Sequence, residues 1–126
     1  MAGSLANVSA VATAASAYES VLIVCAGNAG GTLFSLEDAY GAMEIAALIA
    51  ASNANLAVGD AGLLLLASDM NRLRAAARGS AHARVLGELN LSEDVAFAFQ
   101  ADSSRAVPTV TSQGEGWAVL EDLRRR

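Results

Sequence analysis

The apolar positions of this chain fall into short β-branched runs and longer alanine- and leucine-rich stretches, and their alternation predicts a mixed sequence of strands and helices. Residues 5–17 are alanine-rich and predict a helix. Residues 21–25, Val-Leu-Ile-Val-Cys, are short, apolar and flanked by turn formers, which predicts a strand buried on both faces. Glycines follow, and Ser35 with Asp38 three residues later reads as a capping box that opens a helix over residues 36–51. That helix carries Ile45, Leu48 and Ile49 opposite Tyr40, Met43 and Ala47, so more than one neighbour should bury it. Asp60 is expected to cap a short helix through Leu66, and Asp69 to open another through Ala77. Gly79-Ser80 then separates that helix from one ending near Leu89. Residues 95–99 (Val-Ala-Phe-Ala-Phe) and 107–111 (Val-Pro-Thr-Val-Thr) predict strands, with Pro108 at an edge or at a strand's first residue. Residues 117–120 are ambiguous, and Arg124 to Arg126 predict a solvated tail.

A chain of 126 residues is expected to form a single domain, because at this length roughly two thirds of the surface can be buried. Hydrophobic residues make up 54% and charged ones 17%, the balance of a well-buried α/β chain or of a piece that packs against something else. A net charge of −5 argues against nucleic acid, whose phosphates demand a basic footprint. All 8 basic residues are arginine, so a Walker A lysine and Schiff-base catalysis are excluded within the chain. The lone Cys25 cannot form an internal disulfide, which fits a reducing cytosol. The start lacks a basic region followed by a long apolar core, so no signal peptide is expected. No membrane span is expected either, since the most apolar helix contains Glu44 and falls short of ~18 uninterrupted apolar residues.

Candidate chemistry gathers where the residue 21–25 run meets the glycines. Gly27, Gly30 and Gly31 permit positive φ and close approach of a ligand to the backbone, and the helix behind them points free N–H groups at the loop. Glu37 and Asp38 sit in the first helical turn. They serve either as dipole-stabilising, capping acids or as a Mg²⁺ site, since magnesium takes one or two carboxylates together with waters and substrate phosphate. Adjacent helix positions point about 100° apart, so one acid is expected to face the site while the other caps or supports it. Cys25, at the strand's carboxyl end, reads either as a reactive group or as a small buried hydrophobe. A cysteine-phosphatase mechanism is disfavoured because residues 26–34 contain no basic side chain. His82 reads as a general acid, a phosphate contact or a structural histidine. Asp94 and Asp102 read as metal ligands or turn formers, and Arg78, Arg84 and Arg105 as anion contacts or solvated cations.

The run from Val21 to Gly27, followed by Phe-Ser-Leu-Glu-Asp-Ala at residues 34–39, resembles the signature of the 2-phosphosulfolactate phosphatase family, Mg²⁺-dependent phosphatases of coenzyme M biosynthesis. Residues 3–12, the Ser-Ala-His-Ala at residues 80–83, residues 93–97 and Val107-Pro108 resemble further family segments in the same order. The resemblance covers almost the whole chain and corresponds to the carboxyl-terminal half of the family. It implies an α/β fold, a mixed β-sheet flanked by helices in a three-layer α/β/α arrangement, incomplete at one edge. It also implies hydrolysis of 2-phosphosulfolactate, or a related small phosphate ester, to sulfolactate and phosphate. On this reading Glu37 and Asp38 are catalytic and hold Mg²⁺, and Cys25, Gly27, Asn28, Gly30, Gly31, Ser35 and His82 bind substrate. The expected setting is cytoplasmic, as a homo-oligomer or as the partner of a separate amino-terminal half. The competing expectation is a non-catalytic remnant or assembly module that pairs with such a half or with another subunit.

Overall fold

The computed structural model describes residues 1–125 and shows a chain of mixed α and β structure. A short 3-10 turn at Leu5–Asn7 leads into α1 (Val8–Ala15), and after a long loop come α2 (Leu36–Ser52), α3 (Asp60–Leu66), α4 (Met70–Arg78), α5 (Ala81–Glu88) and α6 (Ser92–Ala98). The strands β1 (Pro108–Gly114) and β2 (Trp117–Asp122) close the chain, followed by a 3-10 turn at Leu123–Arg125.

The helix starts follow the capping chemistry read from the sequence. Ser35 accepts from the Asp38 amide at 3.2 Å, Asp69 from the Arg72 amide at 2.9 Å and Ser80 from the Ala83 amide at 3.1 Å. Each satisfies an N–H that the helix itself leaves without a partner. Asp60 is different, because Gly59 takes the cap and Asp60 is the first helical residue.

Helix α2 organises the core by burying two faces. Ile45 and Ile49 meet Val8, Val11, Ala12 and Ala15 of α1 together with Val107. Tyr40 and Met43 meet Ala77 of α4 and Phe99, and the Tyr40 and Phe99 rings stack with centroids 5.9 Å apart. The expected burial by several neighbours is therefore present, although Leu48 remains exposed.

The hairpin is antiparallel and pairs Pro108 with Asp122 and Gly114 with Trp117, with a bulge between Val110 and Ser112. Pro108 stands at the first position of β1, where its missing N–H is tolerated, and the ambiguous residues 117–120 form β2. Buried Asn7 joins the two ends of the chain by donating to the Ala106 carbonyl at 2.8 Å, while the Ala2 amide donates to the Pro108 carbonyl at 2.8 Å.

Three expectations need correction. Residues 21–25 form no strand: among the described residues their backbone groups have no sheet partner. Leu22 and Val24 are 85% and 77% exposed. A strand exists only through its neighbours, and the one sheet of the described residues is the β1–β2 pair. Residues 95–98 belong to α6 rather than to a strand. Glu93 and Asp94 favour a helix start there, and helical spacing puts Val95 and Phe99 on one face, leaving Phe97 60% exposed. The sheet is accordingly an antiparallel pair, not a mixed sheet. Of the anticipated tail, Arg124 lies in the final turn and bonds Asp122, while Arg126 lies outside the described residues.

Candidate active site

Beside the start of α2 lies a cleft of about 730 Å³. Its walls come from four parts of the chain: the amino-terminal residues 1–5, the run 23–26, the first turns of α2, and the faces of α5 and α6. Among the residues singled out from sequence, it brings together Cys25, Asn28, Ser35, Glu37, Asp38 and His82.

Sharp backbone geometry delivers this arrangement. Gly27 has φ +72°, and a Cβ there would sit 2.9 Å from the Leu33 carbonyl oxygen, so only glycine fits without a shift. Its amide donates to Asp38 Oδ2 at 2.7 Å, which ties the loop's entrance to the helix it precedes. Asn28 and Leu33 exchange amide-to-carbonyl bonds of 2.8 and 3.1 Å. The turn between them contains Gly30 and Gly31, both at positive φ. Gly27, Gly30 and Gly31 do not line the cleft. The Gly27 and Gly31 amides are taken by Asp38 and by the Asn28 carbonyl, so these glycines shape the loop instead of presenting free N–H groups.

Glu37 is held from two sides. Ser80 donates to its Oε1 and Ser35 to its Oε2, the latter at 3.1 Å. Burial works to raise the Glu37 carboxyl pKa, but hydrogen bonds from Ser80, from its own amide and from Ser35, together with the His82 charge, hold it below the ordinary value. Asp38 has one oxygen on the Gly27 amide. Burial, and then the Asp38 charge, push the Cys25 thiol up, which favours the neutral thiol over a nucleophilic thiolate. Cys25 is exposed, so the alternative of a small buried hydrophobe does not hold.

The remaining candidates lie elsewhere, apart from Asp94, which also lines the cleft. Asp102 binds the Ser9 amide and hydroxyl at 2.9 and 2.6 Å. Arg78 stands over the Phe99 ring at 5.6 Å, Arg84 donates to the Gly79 carbonyl at 2.6 Å, and Arg105 lines a separate surface groove. Among the described residues no arginine lines the cleft, whose titratable side chains are Cys25, Glu37, Asp38, His82 and Asp94. Sequence reasoning did not single out Ser80 for the site. Its cap position was legible, but its bond to a residue 43 positions away was not.

The donor set is one of hard oxygens. Two carboxylates, Glu37 and Asp38, line the cleft, and each keeps lone pairs beyond the bonds described. That suits Mg²⁺, which takes one or two carboxylates and completes its shell with waters and phosphate oxygens. Among the described residues, no group of three or more His, Cys, Asp or Glu side chains is placed to hold a metal by itself. No helix among them is long and apolar enough to cross a membrane.

A model of the 2-phosphosulpholactate phosphatase family matches residues 1–113. No curated protein and no solved structure matches the chain.

Proposed function

The chain belongs to the 2-phosphosulpholactate phosphatase family, and from that membership we propose that it is a Mg²⁺-dependent phosphoric monoester hydrolase. Its substrate is 2-phosphosulfolactate or a related small phosphate ester, released as sulfolactate and phosphate. The observation that carries the reading is that Glu37 and Asp38 both line a cleft which, among the described residues, no arginine lines. An anionic phosphate would be repelled by these carboxylates alone, whereas a divalent cation between them reverses the local field. Glu37 and Asp38 would hold Mg²⁺, which supplies charge neutralisation at the phosphoryl oxygens and lowers the pKa of water. Around that centre, the Asn28 amide group, the Cys25 thiol and His82 orient the ester, while the Ser35 hydroxyl holds Glu37 in place and Gly27, Gly30 and Gly31 keep the loop in shape. A cytoplasmic setting belongs to the same reading, since a lone exposed thiol persists in a reducing compartment.

One observation favours a second reading, that of an assembly module. The run 21–25 is apolar, largely exposed and without a sheet partner among the described residues. Pairing along its edges, by another copy or by an amino-terminal half encoded separately, would build a central strand and complete a three-layer α/β/α arrangement. Both readings meet in one experiment, which measures phosphate release from 2-phosphosulfolactate with Mg²⁺ and with chelator, at a protein concentration of known oligomeric state. Release that chelator abolishes is the expected result, and Glu37→Gln and Asp38→Asn, made separately, should each lower Mg²⁺ affinity or turnover. Unchanged affinity and turnover in both variants would remove the proposed site. A folded protein that releases no phosphate would leave the assembly reading in place.

A further inference from the structure

We propose that Ser80 is a positioning residue for the Glu37 carboxylate, fixing the orientation in which that carboxylate meets a Mg²⁺ ion in the cleft. This rests on the reading that Glu37 holds the metal. A serine hydroxyl has one proton to donate and two lone pairs. In Ser80 the oxygen is already engaged by the Ala83 amide at 3.1 Å, and the proton goes to Glu37 Oε1. The opposite carboxylate oxygen receives the Ser35 hydroxyl at 3.1 Å, and Ser35 in turn accepts from the Asp38 amide at 3.2 Å. Glu37 is thus clamped between two helix caps, that of its own helix α2 and that of α5. Helix α5 packs chiefly against α6, so the Ser80–Glu37 bond spans two parts of the molecule. His82 lies two residues beyond Ser80 on the same helix, also lines the cleft, and acts on the Glu37 charge. One hydroxyl therefore sets the orientation of the carboxylate. Groups that orient a metal-binding carboxylate in this way are worth about 10- to 100-fold in metal affinity or activity.

The test separates this role from helix capping. Ser80→Ala removes both the cap and the donor, Ser80→Gly keeps most of the cap but removes the donor, and Ser80→Thr keeps both. Mg²⁺ alone is titrated calorimetrically into the full chain, wild type and variants, without substrate, with thermal unfolding recorded alongside to establish folding. The expected result is a loss of about 10- to 100-fold in Mg²⁺ affinity for both Ser80→Ala and Ser80→Gly, with recovery in Ser80→Thr. Wild-type affinity in Ser80→Gly would overturn the proposal and leave Ser80 as a cap alone. Failure of the underlying reading looks different: either the wild-type chain does not bind Mg²⁺, or Glu37→Gln binds it unchanged. Either result withdraws the role of Ser80 with it.

Discussion

Asp122 shows how a single carboxylate fastens the end of the chain. It accepts from the Val107 amide at 3.0 Å and from Arg124 at 2.9 Å. The Arg124 hydrogen bond first, and then the Val107 amide, depress its pKa to about 2. A carboxyl depressed by folding stabilises the native state in full above its unfolded value of about 3.9, and that contribution is lost as pH falls through the folded value. The stability difference between wild type and Asp122→Asn, measured by urea unfolding, should therefore be constant near neutrality and shrink between pH 4 and pH 2. A difference that holds constant down to pH 2 would detach Asp122 from this role. Neither Asp122 partner was legible in advance, because the Val107 amide becomes available only once β1 has been placed. Cys25 illustrates the same limit in reverse. Its residue type and its neighbours read as buried, yet a side chain is covered only when something packs on it, and the run that carries Cys25 has no sheet partner among the described residues.

Among the elements, those whose ends are marked by local chemistry were the legible ones. Ser35, Asp69 and Ser80 announce α2, α4 and α5 because an N-cap acts within three residues. Helix α1 is different. Asn7, at its N-cap position, makes no side-chain bond to the helix, and Asp102 fills that place from 93 residues away through the Ser9 amide and hydroxyl. Sequence reading treated Asp102 as a turn former or metal ligand, since nothing local links it to α1. Asp102→Ala should cost about 1 kcal/mol of stability, as loss of a cap does, and should leave Mg²⁺ affinity unchanged because Asp102 lies outside the cleft. Equal stability of variant and wild type in thermal unfolding would show that water replaces the contact at no cost. Helix α6 was misread for another local reason. The alternation of Val95, Phe97 and Phe99 fits a strand, but Val95 and Phe99 are also four residues apart, and that helical spacing is the one the core uses.

At the scale of the whole molecule, packing is concentrated around α2, and the cleft lies between that core and the lightly packed run 20–26. The four parts that build the cleft come from the amino-terminal end and from three stretches spread along the chain as far as Phe99. The Glu37–Asp38 pair could therefore be found by reading along the chain, while its relation to Ser80 and Asp94 could not. Stability should be as uneven as the packing. Amides of residues 20–26, which lack sheet partners among the described residues, should exchange with deuterium at nearly unprotected rates, while those of α2 around Met43 exchange only on global unfolding. Strong protection in residues 20–26 at dilute concentration would mean that the run is already paired. The composition of the run carries a further consequence. Val-Leu-Ile-Val-Cys-Ala contains neither charge nor proline, and six such residues in extended form can stack on identical copies as a dry steric zipper. Any partner that caps the run also removes a nucleus for amyloid, so the chain's solubility in storage, as much as its chemistry, depends on what meets those residues first.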